Sequence, residues 1–163
     1  MSVRVLVTGM SGVGKSSVLH ALRRRGWRTV DADEDGLVDE RPDRTTLRLP
    51  ELDAIVRQHR QHRHDRPLAL AATGEGQHLL YPLVDHVVLL TAPWPVLDER
   101  LTVRTTNDFG KDPSERERVR RDVEEVEPLL HGGADLVVDT STLSVDGVAD
   151  RLDALSTQAG EAP

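Results

Sequence analysis

Along the chain, short apolar runs alternate with longer stretches whose apolar residues recur every three or four positions. Val3-Arg4-Val5-Leu6-Val7 is β-rich and predicts a first strand, closed by Thr8-Gly9. Lys15 to Arg25 predicts a helix with Val18, Leu19 and Leu22 on one face and Gly26 as its stop. Arg28-Thr29-Val30 predicts a second strand that ends in Asp31-Ala32-Asp33, and residues 34–48 are polar and aperiodic. Pro50 suits the first turn of a helix carrying Leu52, Ile55 and Val56, which Pro67 breaks. Leu68 to Ala72 and Val87 to Leu90 are the next strands, and Pro95 opens a helix with Leu97 and Leu101 four apart.

Asp112-Pro113-Ser114-Glu115 has the form of a helix start, with Asp as cap, Pro at the first position and Glu at the third. Val119, Val123 and Val126 continue that helix toward Gly132-Gly133. Leu136-Val137-Val138 predicts a fifth strand. Ser144 caps a last helix with Val145, Val148, Leu152 and Leu155 on its buried side, and a small, polar tail follows from Thr157. Strands apolar on both faces, alternating with helices, predict a parallel sheet covered on both sides. The fold class is therefore α/β, with one domain over residues 1–156 and a flexible tail over 157–163.

Composition narrows the function classes. A chain of 163 residues buries a core without metal or disulfide staples, and with no Cys it has no thiolate metal site. Trp27, Tyr81, Trp94 and Phe109 are the whole aromatic set, too few to stack successive bases. The net charge of −7 also argues against nucleic acid as partner. Apolar runs such as Val87 to Leu90 fall far short of the ~20 residues of a membrane span. No charged-then-apolar leader is visible, and a cytoplasmic monomer or homodimer that binds no membrane is expected. Of 21 Lys and Arg, only Lys15 and Lys111 are Lys.

Lys15 falls in Gly9-Met10-Ser11-Gly12-Val13-Gly14-Lys15-Ser16, which fits G-x-x-x-x-G-K-[ST] between a strand and a helix. The glycines let successive N–H groups turn toward one anion, and the helix dipole points to the same place. Ser11, Gly12, Val13, Gly14, Lys15, Ser16 and Ser17 are thus the expected phosphate-binding residues. The Lys15 ammonium reaches terminal phosphates, and the Ser16 hydroxyl ligates Mg²⁺. Asp31 and Asp33, two apart at a strand end, point the same way toward the ligand crevice. Asp31 is the second candidate for magnesium, and Asp33 the candidate proton acceptor. Asp33-Glu34-Asp35-Gly36 also spells D-x-x-G, but no N-K-x-D follows to read guanine.

With these pieces the chain resembles the small P-loop kinases of the shikimate kinase and nucleoside-monophosphate kinase group, over residues 3–33 and 86–155. The likeness implies a three-layer P-loop NTPase fold with strand order 2-3-1-4-5, a short lid near residues 105–121, and ATP with Mg²⁺ as cofactors. It implies that the V-D-A-D ending of the second strand serves magnesium and the acceptor hydroxyl. Arg100 and Arg104 match the family's R-x-x-x-R helix before the lid, which implies adenine packing for Arg100 and phosphate contact for Arg104. Val138-Asp139-Thr140-Ser141 resembles the loop bordering the adenine, which places Thr140 there. Lys111 and Arg116 lie in the lid stretch, where a cation offsets charge on a transferring phosphoryl.

The departures matter too. The triple Gly that binds substrate in shikimate kinases is here Thr73-Gly74-Glu75-Gly76-Gln77, and no Arg stands beside Pro128-Leu129-Leu130 to read a carboxylate. The expected activity is an ATP- and Mg²⁺-dependent phosphotransferase acting on a small hydroxyl-bearing acceptor other than shikimate. A nucleoside-monophosphate acceptor is a second reading, with Arg41, Arg44, Arg48 and Arg57 as its cations, opposed by the carboxylates of residues 31–40. A slow ATPase acting as a nucleotide-dependent switch is a third. His59, His62 and His64 crowd one segment, but no further ligand completes a metal set, so an exposed basic helix is expected there.

Overall fold

The computed structural model describes residues 2–62 and 65–158, which leaves His64 and residues 159–163 of the expected tail outside it. Five parallel strands form the central sheet: β1 (Arg4–Thr8), β2 (Arg28–Asp31), β5 (Leu68–Ala71), β6 (His86–Thr91) and β7 (Leu136–Asp139). Their order is β2-β5-β1-β6-β7, which is 2-3-1-4-5 when these five are counted along the chain. The register runs Leu6 opposite both Leu70 and Val87, and Leu90 opposite Val138.

Alternation along β1 builds two cores. Val5 and Val7 face one cluster, with Leu19 and Leu22 of α1 (Lys15–Arg24) and Leu152 of α6 (Val145–Gln158). Leu6 faces the other, with Leu52 and Val56 of α2 (Leu49–Gln61) and Leu80 of a 3-10 helix (Gln77–Leu83). The result is three layers, with a crevice beyond the carboxyl ends of β1, β2 and β7, where ligands bind in open parallel sheets. Trp27 is a packing residue: it is buried, and its indole N–H donates to Asp153 of α6 at 2.7 Å.

Three segments differ from the sequence reading. Residues 34–48 hold an antiparallel hairpin, β3 (Val38–Glu40) and β4 (Thr45–Leu47). The helix expected from Pro113 to Gly132 is two helices, α4 (Pro113–Glu125) and α5 (Glu127–Gly133), parted at Val126. Pro128 explains the break, because it has no N–H to donate and its ring clashes with the preceding turn, whereas it fits the first turn of a new helix. Thr157 and Gln158 are helical rather than frayed. Asp112 caps α4 as expected, accepting from the Ser114 N–H at 2.7 Å. Glu115 does not close a capping box; it accepts from the Gly110 N–H at 2.7 Å and so ties down the loop before the helix.

Candidate functional site

The phosphate loop leaves β1 at Gly9 and enters α1 at Lys15, and its shape follows from its glycines. Gly14 sits at φ 104°, a left-handed conformation that a side chain resists, and the space beside it is open. Gly9 lies against β6: a Cβ there would stand 2.4 Å from the Leu90 carbonyl oxygen. Helix α1 has no side-chain cap and no acidic residue in its first turn. Its first N–H groups therefore face an open space with a positive dipole behind them, which fits a bound phosphate chain.

That space belongs to a cleft of about 770 Å³, lined by residues 11–18, Asp33, Arg100, Arg104 and Thr140 among others. Every residue expected to bind nucleotide lines it. Lys15 reaches back over its own loop and donates to the carbonyls of Gly9 and, at 3.3 Å, Met10. Burial lowers its pKa below the usual lysine value, against the opposing pull of Asp33 and Asp31.

Asp31 and Asp33 take different places at the end of β2. Asp31 is buried and accepts the Ser16 hydroxyl at 2.5 Å and the Asp33 N–H at 3.1 Å. A serine hydroxyl and a carboxylate held together at the cradle's edge are hard oxygen donors, a set that suits Mg²⁺ completed by phosphate and water. Among the described residues there is no cluster of three or more His, Asp or Glu able to hold a metal by itself. The Asp33 carboxylate lines the cleft and accepts no hydrogen bond among the described residues. Desolvation by the cleft walls raises its pKa above the ordinary Asp value; Lys15 opposes this, and Asp31 and Glu40 reinforce it.

Arg100 and Thr140 lock the far side of the loop. The Arg100 guanidinium donates to the carbonyls of Gly12 and Val13 at 3.2 and 3.3 Å, and to the Thr140 hydroxyl and carbonyl at 2.9 Å each. The Thr140 hydroxyl in turn donates to the Val13 carbonyl at 2.7 Å. Four residues up, past the end of α3 (Trp94–Val103), Arg104 donates to the Phe109 carbonyl. Its Nε is buried with no partner among the described residues. Burial lowers its pKa, yet a guanidinium stays charged, so a cation with a spare donor faces the cleft beside Lys15 and Asp33.

The apolar cleft wall was not legible beforehand. Val103 and Val145 are 67% and 40% exposed and line the cleft with Leu143 and Val148. Val145 had been expected on the buried face of the last helix. Its position at the first turn of α6, level with the loop after β7, was the available signal.

The lid cations lie elsewhere. Lys111 is outside the cleft lining and donates to the carbonyls of Thr102, at 2.7 Å, and Arg104, pinning the loop of residues 104–112 to the end of α3. Arg116 pairs with Asp98 at 3.2 Å and donates to the Lys111 carbonyl at 2.9 Å. Neither meets Lys15 or Asp33 in this conformation. Arg118 of α4 crosses to the hairpin, where it donates to the Arg41 carbonyl and the Thr45 hydroxyl, both at 3.2 Å, and lies 3.9 Å from Glu40. No sequence motif marks it.

Hairpin β3–β4 lies beside the cleft, close enough for the Glu40 charge to act on Asp33, and the loop after β5 pairs with it. The Glu75 N–H donates to the Thr45 carbonyl at 2.8 Å, so the loop pairs with the hairpin as a strand would. Gln77 is buried beneath the crevice, and Glu75 is exposed with Arg44 at 3.9 Å.

The comparisons with known proteins agree with this geometry. The chain belongs to the AAA domain family, which it matches over residues 5–139. It is 31% identical to a nucleotide-binding protein of Gluconacetobacter diazotrophicus over 85% of this chain and 38% of that protein, so it spans well under half of that relative. It is 28% identical to a protein of Archaeoglobus fulgidus, provisionally named an adenylate kinase, over 93% of this chain and 80% of that one. Among solved structures, shikimate kinase from Acinetobacter baumannii in complex with shikimate superposes with a TM-score of 0.64 at 16% identity, covering 100% of this chain and 97% of that one. At that identity the likeness concerns the fold, which is that of the small P-loop kinases.

Proposed function

We propose that this member of the AAA domain family transfers the terminal phosphoryl group of Mg²⁺-bound ATP to a hydroxyl of a small acceptor other than shikimate. The observation that carries the reading is Asp33: a carboxylate with a raised pKa, free of hydrogen bonds among the described residues, in the same cleft as the phosphate cradle. A carboxylate so placed accepts or orients an acceptor proton, whereas a nucleotide switch has no use for it. Magnesium, held by Ser16 and Asp31 when bound, supplies charge neutralisation on the phosphates. The protein's own part is positioning and electrostatics: backbone N–H groups of residues 12–17 orient the phosphates, and Lys15 and Arg104 stabilise charge on the transferring group.

Shikimate is disfavoured by the loop after β5. Glu75 interrupts the triple glycine of the shikimate kinases, and its N–H is used by the hairpin. The test is an acceptor panel of sugars, nucleosides, nucleoside monophosphates and amino alcohols, read as ADP release and compared with Lys15→Ala. At least one non-nucleotide alcohol is expected to raise ADP release well above that blank. Stimulation by nucleoside monophosphates alone gives the second reading, and stimulation by no acceptor at all defeats the kinase assignment.

A further inference from the structure

Gly9 is where the phosphate loop is fastened to the sheet, and the fastening is a side chain from the neighbouring strand end. Thr73, two residues past β5, grips the Gly9 residue at both of its backbone polar groups. Its Oγ1 accepts the Gly9 N–H at 3.1 Å and donates to the Gly9 carbonyl oxygen at 2.9 Å. That same carbonyl receives the Lys15 ammonium. The Thr73 hydroxyl proton has one alternative acceptor, the buried Thr8 Oγ1 at 3.0 Å. Thr8 donates onward to Gln77 Oε1 at 2.8 Å, and Gln77 Nε2 donates to the Tyr81 hydroxyl at 2.9 Å. Thr73 thus borders a chain of polar groups that runs from Thr8 through Gln77 to Tyr81.

We infer that Thr73 is a positioning residue for the phosphate site: its hydroxyl fixes the Gly9 carbonyl that anchors the Lys15 ammonium, and so sets where Lys15 meets the terminal phosphates. The inference rests on the nucleotide reading given above, and it adds a residue outside the G-x-x-x-x-G-K-S motif. The chemistry is specific to a hydroxyl. Valine fills the same volume but offers neither the acceptor for the Gly9 N–H nor the donor for its carbonyl, so both groups lose a partner where water enters poorly. Serine retains both. The other end of the same loop is held by hairpin β3–β4 through Glu75, so the lysine anchor and the hairpin share one short strap.

The position predicts which ligands notice the change. Lys15 serves the phosphates beyond the first, so loss of its anchor weakens ATP and spares AMP. The experiment is calorimetric titration of the whole chain with MgATP and with AMP, for wild type, Thr73→Val, Thr73→Ala and Thr73→Ser, alongside melting curves. Thr73→Val is expected to lose about tenfold in ATP affinity, on the scale of one or two buried hydrogen bonds, with AMP affinity unchanged. Thr73→Ser is expected to return to within about twofold of wild type by the same reasoning. Thr73→Ala, which adds no apolar bulk, should show the same split and decides the matter if the valine variant melts. The inference is overturned if the hydroxyl-free variants bind ATP as wild type does, or if they lose ATP and AMP equally and serine rescues neither. Wild-type chain that binds no ATP removes the nucleotide reading itself, an outcome distinct from either of these.

Discussion

The two walls of the crevice are built on different principles. The nucleotide wall is made of backbone: glycines at fixed spacing, uncapped N–H groups of α1, and carbonyls clamped by Arg100 and Thr140. The side proposed for the acceptor, the acceptor wall, is made of long side chains meeting across the fold, with Arg118 of α4 on Arg41, Thr45 and Glu40, and Arg48 on Asp39 at 2.9 Å. A backbone device demands particular residues at particular places. A side-chain device can be assembled from any suitable charge that the fold brings near. The first wall is therefore fixed in its ligand, and the second is the part of the fold in which specificity is free to change.

The sharpest way to break that comparison is to place a methyl group at two glycines of one motif. Gly9→Ala drives a Cβ to 2.4 Å from the Leu90 carbonyl oxygen, so it is expected to unfold or grossly destabilise the chain. Gly14→Ala meets nothing within 4 Å and strains only its own backbone, at a cost of about 1–2 kcal/mol. Gly14 lines the cleft, so on the proposed reading the added methyl competes with phosphate. A cooperative melt retained together with ATP binding reduced beyond detection is the expected result. Gly14→Ala that binds ATP normally would mean that the nucleotide wall is not a backbone cradle.

Asp33 stands where the two walls meet. Asp33→Asn is expected to lower acceptor-dependent turnover about 10²- to 10³-fold, the range of a lost general base, while leaving ATP affinity within a few fold. The pH profile supplies the sign. Asp33 is charged only above its raised pKa, so turnover should fall on the acid side earlier than an ordinary aspartate would dictate. Lys15, with its lowered pKa, loses its charge sooner as pH rises, which bends the alkaline limb of ATP binding below the ordinary lysine range. Stability runs the other way. The ionised Asp33 is less favourable in the folded chain than in the unfolded one, a penalty absent below the unfolded pKa and complete above the folded one. Asp33→Asn should therefore melt no lower than wild type at neutral pH, and a marked drop would make Asp33 structural.

Arg118 tests whether the acceptor wall is as adjustable as its construction suggests. Arg118→Ala removes contacts with the hairpin and is expected to raise the acceptor KM about three- to tenfold, with ATP affinity unchanged, a partly exposed pair contributing roughly 1 kcal/mol. An effect on ATP alone would place α4 with the nucleotide wall instead.

What could be read in advance divides along the same line. The parallel strands declared themselves through β-branched apolar runs, and the cradle through glycines that no other residue replaces. Asp31 and Asp33 were marked by their place after the second strand, but not by a shared direction: β2 ends at Asp31, which is buried on Ser16, and Asp33 sits in the turn beyond and lines the cleft. Hairpin β3–β4 was not, because it holds only Val38 and Leu47 as apolar markers and is secured by Arg118, a contact with Thr45 spanning 73 positions of sequence. The division of α4 from α5 was legible in principle, since Pro128 marks it, but Val123 and Val126 continue the helical period across the break. Val145 is read as core because an apolar residue at a helix start looks the same whether it faces a core or a cleft.

Lys111 is the smallest test. Its scarcity among arginines drew attention to it, and in the structure its ammonium closes the loop of residues 104–112 onto two carbonyls at the end of α3, one of them that of Arg104. Its contact with the site runs only through the backbone that carries Arg104, so it belongs to neither wall. Lys111→Ala is expected to lower turnover about two- to threefold and leave ATP affinity unchanged, since an exposed cation on a neutral carbonyl contributes well under 1 kcal/mol. Lys111→Arg separates the two ways of producing that loss. A guanidinium is larger than an ammonium and sets its donors further out, so Lys111→Arg does not fit the same close space between the two carbonyls and should resemble alanine if the clasp is what matters. Wild-type turnover in Lys111→Arg with loss in Lys111→Ala would instead point to charge alone, and would return Lys111 to the role of a lid cation that swings toward the transferring phosphoryl.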